Sequence, residues 1–336
     1  MKKATALFTA AAAAMMLAAC GDGNDENMNG GSDNNAPADN ADAEVNVDND
    51  MNGEDEAEAA EEDADRPDEI VMGFVPSSDS DQIASTVEPL ADELSEILGV
   101  EVEGTVMTNY SALVEAMGSG QVQIGFIPAF AYVLASERYD IDAILKSVRD
   151  GEDSYRAQYS VRADSDFETL EDLEGADWAF VDVASTSGYL FPATEIRNDF
   201  GMNEEEFFGG MVEAGSHDNA LITVLEGNAD VATTFEDARG IIEDDYPEVM
   251  DEEDGLRVLG YTEPIPNDTI SILGDMPQDF IDEIQEAFLS FNDDEDMIQI
   301  MDEVYEWTGI TEADDSDYDI VRDAYNEFSD EVDPLD

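Results

Sequence analysis

The sequence predicts an α/β protein with two lobes. Short apolar runs of strand length alternate with longer segments whose apolar residues recur at helical spacing, and this alternation occurs twice along the chain. The chain has 336 residues, which is enough for a tail and two domains of ordinary size. Strands and helices in alternation predict sheets that contain parallel strands and are covered by helices.

The first lobe begins in "EIVMGFVPSSDSDQ", where residues 70–75 predict a buried strand that ends before Pro76, Ser77 and Ser78. The segment "DQIASTVEPLADELSEILGV" follows, and its apolar residues have the spacing of a helix. A strand in "VEVEGTVM", a helix that begins near Thr108 in "TNYSALVEAMGSG", and a strand in "VQIGFIP" complete this series.

The second lobe repeats the pattern with strands in "DWAFVDV", "FFGGMVEAG" and "ADVATTF", and helices in "SGYLFPATEIRNDF" and "HDNALITVLEGN". Two further helices, "PQDFIDEIQEAFLSF" and "MDEVYEWTG", are expected to pack at one end. We predict lobe 1 over residues 70–160 plus 264–336, and lobe 2 over residues 161–263.

The N-terminal segment "MKKATALFTAAAAAMMLAACG" predicts an export signal, because two lysines precede an apolar run that is too short to span a membrane. Its "LAAC" resembles the lipobox of bacterial lipoproteins, which implies that residues 1–20 are a lipoprotein signal peptide and that Cys20 is lipidated. The alternative is an ordinary signal peptide with a leftover cysteine. Cys20 is the only cysteine, so no internal disulfide can form.

Residues 21–69 contain Asn, Asp, Glu, Gly and Ala with almost no large apolar side chains, which predicts a disordered acidic tether. Over the whole chain, 12 Lys and Arg face 86 Asp and Glu, for a formal net charge of -74. This charge argues against a nucleic acid partner. It fits a halophilic or alkaliphilic protein outside the cytoplasmic membrane, because salt screens repulsion between carboxylates. The alternative is an acidic protein from an ordinary medium.

Three hydroxyl residues and a glycine, Ser185, Thr186, Ser187 and Gly188, stand between the strand "FVDV" and a helix. The first turn of a helix has free backbone N–H groups and a partial positive charge, so it can hold an anion. Hydroxyls add hydrogen-bond donors, and a glycine lets a ligand approach the backbone. An ordinary N-cap is the alternative interpretation. The cluster has no lysine, which argues against a nucleotide-binding loop.

Two other junctions have the same form, with His217 at the start of a helix and Tyr110 at another. Taken together, "TNYSALVEAMGSGQVQIGF", "STSGYLFP", "GSHDNAL", "GNADVAT" and "PIPNDTI" resemble the substrate-binding proteins of phosphate, phosphite and phosphonate ABC importers. The resemblance extends from Ile70 through Leu273. It implies the two-lobed periplasmic-binding-protein fold of type II, with the ligand in the cleft between the lobes.

The resemblance also implies which residues bind the ligand. Ser77 and Ser78 are secondary candidates, Tyr159 is a rival of Tyr155, and Asp237 is a rival of Glu236. We expect neutral donors to hold the anion, while Glu236 and Asp268 accept a hydrogen bond from a P–OH group or a ligand ammonium. The positions that carry over are Tyr110, Tyr155, Ser185, Thr186, Ser187, His217, Glu236 and Asp268.

The expected function is that of a monomeric lipoprotein, anchored on the extracytoplasmic face of the membrane, that captures a phosphonate, phosphite or phosphate for an ABC permease. No cofactor, metal or catalytic residue is expected. One alternative is a sensory receptor for the same anions. Another is a hydrolase that uses Ser187, His217 and Asp268, although the chain has no G-x-S-x-G motif.

Overall fold

The structure is a computed structural model that describes residues 66–327. The predicted signal peptide with Cys20, and all but the last four residues of the predicted tether, lie outside the described residues. No helix within residues 66–327 has the length and apolar character needed to cross a membrane.

The described residues form eleven strands and nine α-helices. The strands are β1 (Glu69–Phe74), β2 (Glu101–Val106), β3 (Ile124–Ile127), β4 (Ile141–Val148), β5 (Ser154–Arg162), β6 (Asp177–Phe180), β7 (Gly210–Glu213), β8 (Val231–Phe235), β9 (Leu256–Pro266), β10 (Thr269–Leu273) and β11 (Gly309–Glu312). The helices are α1 (Ser80–Leu98), α2 (Tyr110–Gly118), α3 (Ala129–Arg138), α4 (Phe191–Phe200), α5 (Glu204–Phe207), α6 (His217–Leu225), α7 (Gln278–Ser290), α8 (Glu295–Tyr305) and α9 (Asp319–Asn326).

The first sheet has six strands in the order β11-β4-β10-β3-β1-β2. Strand β1 runs parallel to β2 and β3, while β10 is antiparallel to both of its neighbours and β11 is antiparallel to β4. The parallel strands are those that sequence alternation predicts, because each is linked to the next by a helix.

The second sheet has five strands in the order β7-β6-β8-β5-β9. Strand β6 runs parallel to β7 and β8, and β5 is antiparallel to β8 and β9. The chain crosses from the first sheet to the second between β4 and β5, and returns between β9 and β10. The predicted lobe boundaries at 160/161 and 263/264 fall inside β5 and β9, which pair with each other in the second sheet.

Helix α1 shows how local sequence sets an element. The Asp79 side chain caps its first turn by accepting a hydrogen bond from Gln82 N at 2.8 Å, and Gly99 ends it in the left-handed conformation with φ 69°. Its apolar stripe is buried, including Val87 and Leu94, although Ile97 at the edge of that stripe is exposed. The helical spacing of the sequence therefore placed the buried face correctly.

Candidate functional site

A cavity of about 450 Å³ lies where elements of both sheets meet. It is bordered by residues that follow the carboxyl ends of β1, β3, β6 and β8, which is where open α/β sheets bind ligands. Exposed acidic residues lie at the edge of the cavity. Most of the residues that the family resemblance implies to bind the ligand also line it; they are Ser77, Ser78, Tyr110, Tyr155, Ser185, Ser187, His217 and Asp268.

The two segments that cross between the sheets contribute an ion pair to the cavity. Arg149 precedes an Asp-Gly turn in which Asp150 and Gly151 both have positive φ, 50° and 84°, and this turn reverses the chain before β5. A guanidinium nitrogen of Arg149 donates to Asp268 at 3.1 Å. Asn267 fixes the two crossing segments together, because its amide donates to the carbonyls of Ser147 and Glu152 at 2.9 and 3.0 Å.

Both members of this ion pair are largely buried, with 15% of each side chain exposed. Burial raises the pKa of Asp268, although the charge of Arg149 and the nearby Trp307 indole act to lower it. The Nε of Arg149 is buried and has no hydrogen-bond partner. Arg149 is the one lysine or arginine among the described residues that line the cavity.

The hydroxyl cluster opens a single π-helical turn, Thr186–Leu190, which continues directly into α4. The Ser185 Oγ accepts a hydrogen bond from Gly188 N at 3.0 Å, so this serine is an N-cap as well as a wall of the cavity. Gly188 has a packing role: a Cβ there would lie 2.5 Å from the Val181 Cβ. Gly188 does not line the cavity, so its role is close packing against Val181 in the loop that follows β6, and not the expected approach of a ligand.

Thr186 does not line the cavity. Its hydroxyl oxygen accepts a hydrogen bond from the backbone N–H of Phe130, at the start of α3, at 2.9 Å. Both residues are fully buried. The threonine therefore links an element beside the second sheet to a helix beside the first.

Tyr155 and Tyr110 present phenol groups to the cavity. Burial raises the pKa of Tyr155, even though the hydroxyls of Ser187 and Thr186 act to lower it, and burial followed by the charge of Asp182 raises the pKa of Tyr110. Both phenols are therefore protonated donors at neutral pH. Tyr159, the rival position, points elsewhere, since its hydroxyl donates to the carboxylate of Glu195 at 2.7 Å.

His217 begins α6 and packs edge-on against Phe235, with ring centroids 4.7 Å apart. Its Nδ1 accepts a hydrogen bond from Phe235 N at 3.3 Å, which places the proton of the neutral ring on Nε2. Burial, and secondarily the positive charge of Arg149, lowers the pKa of His217 to about 3. At neutral pH the imidazole is thus an uncharged donor in the cavity wall.

The structure does not bring Glu236 to the cavity. The chain leaves β8 with Phe235 in the cavity wall, and the next side chain points to the other side, where its carboxylate pairs with Arg156. The Arg156 Nε donates to it at 3.1 Å, and the guanidinium lies over the ring of Tyr261. Asp237, the rival of Glu236, does not line the cavity either.

Residues 72–318 match the family described as the phosphonate periplasmic substrate-binding protein of ABC transporters. The chain belongs to this family. The family consists of binding proteins rather than enzymes, in agreement with the prediction from the sequence.

Individual proteins are also similar to this chain. The phosphate-import protein PhnD of Mycolicibacterium smegmatis is 28% identical over 180 residues, which cover 51% of this chain and 56% of that protein. A binding protein component of an ABC phosphonate transporter from Pseudomonas aeruginosa has a TM-score of 0.70 at 20% identity, with 79% of this chain and 88% of that chain covered. PhnD1 of Prochlorococcus marinus, in complex with methylphosphonate, has a TM-score of 0.69 at 19% identity, covering 79% and 99%.

The two structural matches confirm the predicted fold class. Their similarity extends over most of both chains, so the two-sheet architecture is that of periplasmic binding proteins. The match to the mycobacterial relative spans a little over half of that protein's length.

The geometry of this family member does not support the hydrolase alternative. Asp268 pairs with Arg149, and the Nδ1 of His217 accepts from the backbone of Phe235, so Asp268 does not orient the imidazole as an acid does in a catalytic triad. No group of three or more His, Cys, Asp or Glu among residues 66–327 is placed to hold a metal ion.

Sequence reasoning missed Arg149 and the aromatic wall of the cavity. The signal for Arg149 was its rarity: it is one of only 12 lysine and arginine residues, and it precedes an Asp-Gly pair near the end of the first segment of predicted lobe 1. Trp307 stacks on Phe126 with ring centroids 5.5 Å apart, and its indole N–H is buried. Trp307 lies at the end of a predicted helix, and nothing in its local pattern distinguished it from a core residue.

Proposed function

We propose that this chain is the extracytoplasmic binding protein of an ABC importer, and that it holds a phosphorus oxyanion in the cavity between its two sheets and delivers it to a membrane permease. The observation that carries the proposal is the convergence of protonated donors on one cavity. Neutral donors in the cavity wall come from Tyr110, Tyr155, Ser187 and His217. Arg149 adds a positively charged donor to the same wall. Hydrogen bonds from such donors are strongest to a charged acceptor in a desolvated site.

Arg149 adds to the cavity wall a positive charge that the sequence motifs did not include. A chain with a formal net charge of -74 needs local attraction to hold an anion, and neutral donors were expected to provide all of it. In the proposed site the arginine adds attraction at contact distance, where salt screens it much less than it screens the exposed carboxylates. The relatives in M. smegmatis and P. marinus, by their descriptions, support phosphate or a small phosphonate as the ligand class.

The lipid anchor, the monomeric state and the brine habitat belong to the same proposal. "LAAC" before Cys20 supports lipidation at that residue, and the acidic stretch at residues 21–69 suits a spacer between the membrane and the binding domain. The excess of 86 acidic over 12 basic residues supports a medium of high ionic strength.

Calorimetry on refolded, ligand-free protein tests the binding function. We expect one molecule of phosphate, phosphite or methylphosphonate to bind per chain, and sulfate to bind more weakly. Ser187→Ala removes one hydroxyl from the cavity wall, so the affinity should fall about ten- to a hundredfold, the effect of about 1.5–3 kcal/mol for a hydrogen bond to a charged group.

Ser290→Ala is the matched control. This exposed serine bonds only to the carbonyl of Ala287 within α7 and does not line the cavity, so its loss should leave affinity unchanged. Folded wild-type protein that binds none of these phosphorus oxyanions would overturn the proposal.

A further inference from the structure

We propose that the Arg149–Asp268 pair sets the ligand class of the cavity, so that it takes phosphorus oxyanions without an ammonium group, such as methylphosphonate, in preference to aminoalkylphosphonates. This inference rests on the proposed function and adds a specificity-determining residue, Arg149, that the sequence motifs did not contain. Its basis is the state of the carboxylates that surround the cavity.

A ligand ammonium needs a carboxylate that is free to accept its hydrogen bonds. The resemblance to the family offered two candidates, and an arginine engages each of them. Asp268 accepts from Arg149 at 3.1 Å, and Glu236 accepts from Arg156 on the far side of β8, outside the cavity lining. Arg149 donates to one oxygen of Asp268, Oδ2, so an ammonium group at the other oxygen would lie close to the positive guanidinium and be repelled by it.

Arg149 is also placed to hold an anion. Its guanidinium carbon lies 5.3 Å from the ring centroid of Tyr155 and 5.2 Å from that of Phe235, so it stands between the tyrosine and the ring on which His217 packs. Its buried Nε donor has no partner in the protein. Arg149 lines the cavity, so its guanidinium group can donate to a ligand oxygen there.

The other carboxylates of the cavity do not replace Asp268. Glu306 lies 3.6 Å from the Arg149 guanidinium and is therefore part of the same ion-pair group. Asp218 accepts a hydrogen bond from Ser216. The remaining acids stand at the rim and are exposed, so water and salt weaken their attraction for an ammonium group; they are Asp79, Asp245, Asp302 and Glu303.

The experiment compares the affinities for methylphosphonate and 2-aminoethylphosphonate, measured by calorimetry on refolded protein, because the two ligands differ by an aminomethyl group. We expect the wild type to bind methylphosphonate more tightly by at least about tenfold, the scale of one interaction with a charged group. In Arg149→Gln, the Asp268 carboxylate is free to accept hydrogen bonds from the ligand ammonium. The ratio of the two affinities should therefore shift toward 2-aminoethylphosphonate by about ten- to a hundredfold.

Asp268→Asn should move the ratio in the opposite direction, because the variant loses the buried carboxylate that an ammonium group could reach, and Arg149 keeps only the partly exposed Glu306 beside it. The double variant Arg149→Gln with Asp268→Asn should not show the gain for 2-aminoethylphosphonate, and it removes both buried charges together, which covers the case in which Arg149→Gln alone fails to fold. Arg156→Gln is the matched control: it breaks an arginine–carboxylate pair outside the cavity, so the ratio should stay at the wild-type value.

The outcomes separate this inference from the binding function itself. If the wild type binds both ligands equally, or prefers 2-aminoethylphosphonate, the assignment to Arg149 is wrong while oxyanion binding stands. A shift in Arg156→Gln as large as that in Arg149→Gln would also overturn it. Folded wild-type protein that binds neither of these ligands, nor phosphate or phosphite, would overturn the proposed function, and the inference about Arg149 with it.

Discussion

The hydroxyl oxygen of Thr186 accepts a hydrogen bond from the backbone N–H of Phe130 at 2.9 Å, and both residues are fully buried. Two similar bonds accompany it. Asp182 accepts from the backbone N–H of Tyr110 at 3.3 Å, and the backbone N–H of His217 donates to the carbonyl of Ser77 at 2.9 Å. Each bond joins an element beside one sheet to an element beside the other, so the three bonds link the two sides of the cavity directly.

Thr186→Val should therefore destabilise the protein even without a ligand. The substitution leaves the buried Phe130 N–H without an acceptor, which costs about 1–3 kcal/mol. Urea unfolding of the ligand-free variant measures this loss. Thr223→Val is the control, because that threonine bonds to the carbonyl of Asn219 on the surface of α6, and its change should stay within about 0.5 kcal/mol. Equal stabilities for the two variants would contradict a bridging role for Thr186.

Ser185 and Thr186 are consecutive, but local sequence indicates the structural role of only Ser185. An N-cap was the alternative interpretation of this strand-to-helix junction, and Ser185 does cap the helix start. The role of Thr186 was not predictable, because its partner Phe130 lies 56 residues away and the junction itself contains no sign of that contact. Local patterns specify caps and buried faces, whereas long-range hydrogen bonds depend on how the lobes meet.

The same distinction applies to the charged residues. The position of Glu236 outside the cavity was predictable from the sequence. Phe235 and Glu236 are consecutive, and successive side chains along a strand point to opposite faces. The contact of Arg149 with Asp268 spans 119 residues and lies in segments with no hydrophobic period. Nothing in the spacing of these two residues marks them as partners.

His217 makes stability depend on pH. The histidine has a pKa of about 3 in the folded protein and a reference value of 6.5, so above pH 6.5 it is neutral in both states and contributes nothing. As the pH falls below 6.5, the unfolded chain binds a proton that the folded protein does not, and the free energy of unfolding decreases. We expect a loss of about 2 kcal/mol from this group between pH 6.5 and roughly 4.5.

His217→Asn isolates this effect, because the amide oxygen can still accept from Phe235 N while the titrating ring is gone. Buried carboxylates such as Asp268 titrate in both proteins, so they cancel in the comparison. Urea unfolding at the two pH values should show a smaller loss for the variant than for the wild type. Equal losses would mean that the buried imidazole is not the source of the acid sensitivity.

Cys20→Ala should release the protein from the membrane. The lipobox-like "LAAC" predicts that this cysteine is the lipid attachment site, and the remaining chain offers no second cysteine. Cell fractionation should find the wild type with the membrane and the variant in the soluble extracytoplasmic fraction. Ser32→Ala, a change in the acidic tether, serves as the control and should leave the protein on the membrane. Firm membrane attachment of the Cys20 variant would refute lipidation as the anchor.

Helix α1 offers a test of charge repulsion on the surface. Glu88, Asp92 and Glu96 are exposed and follow one another at intervals of four residues, so they form two like-charged pairs along one face. Each such pair destabilises a helix by about 0.2–0.5 kcal/mol when charges are unscreened. Salt shortens the Debye length from about 10 Å at 0.1 M to about 3 Å at 1 M, so this repulsion should largely disappear at high salt.

The triple variant with Glu88→Gln, Asp92→Asn and Glu96→Gln should therefore gain about 0.4–1 kcal/mol over the wild type at about 0.1 M NaCl, and the difference should vanish near 2 M. The wild type itself should gain thermal stability across that range, because carboxylates outnumber basic residues by 86 to 12 and their repulsion extends over the whole surface. Thermal unfolding of both proteins over a series of NaCl concentrations measures both effects. A wild-type midpoint that does not rise with salt would remove the physical basis for a brine habitat, since self-repulsion would then be too weak to require screening.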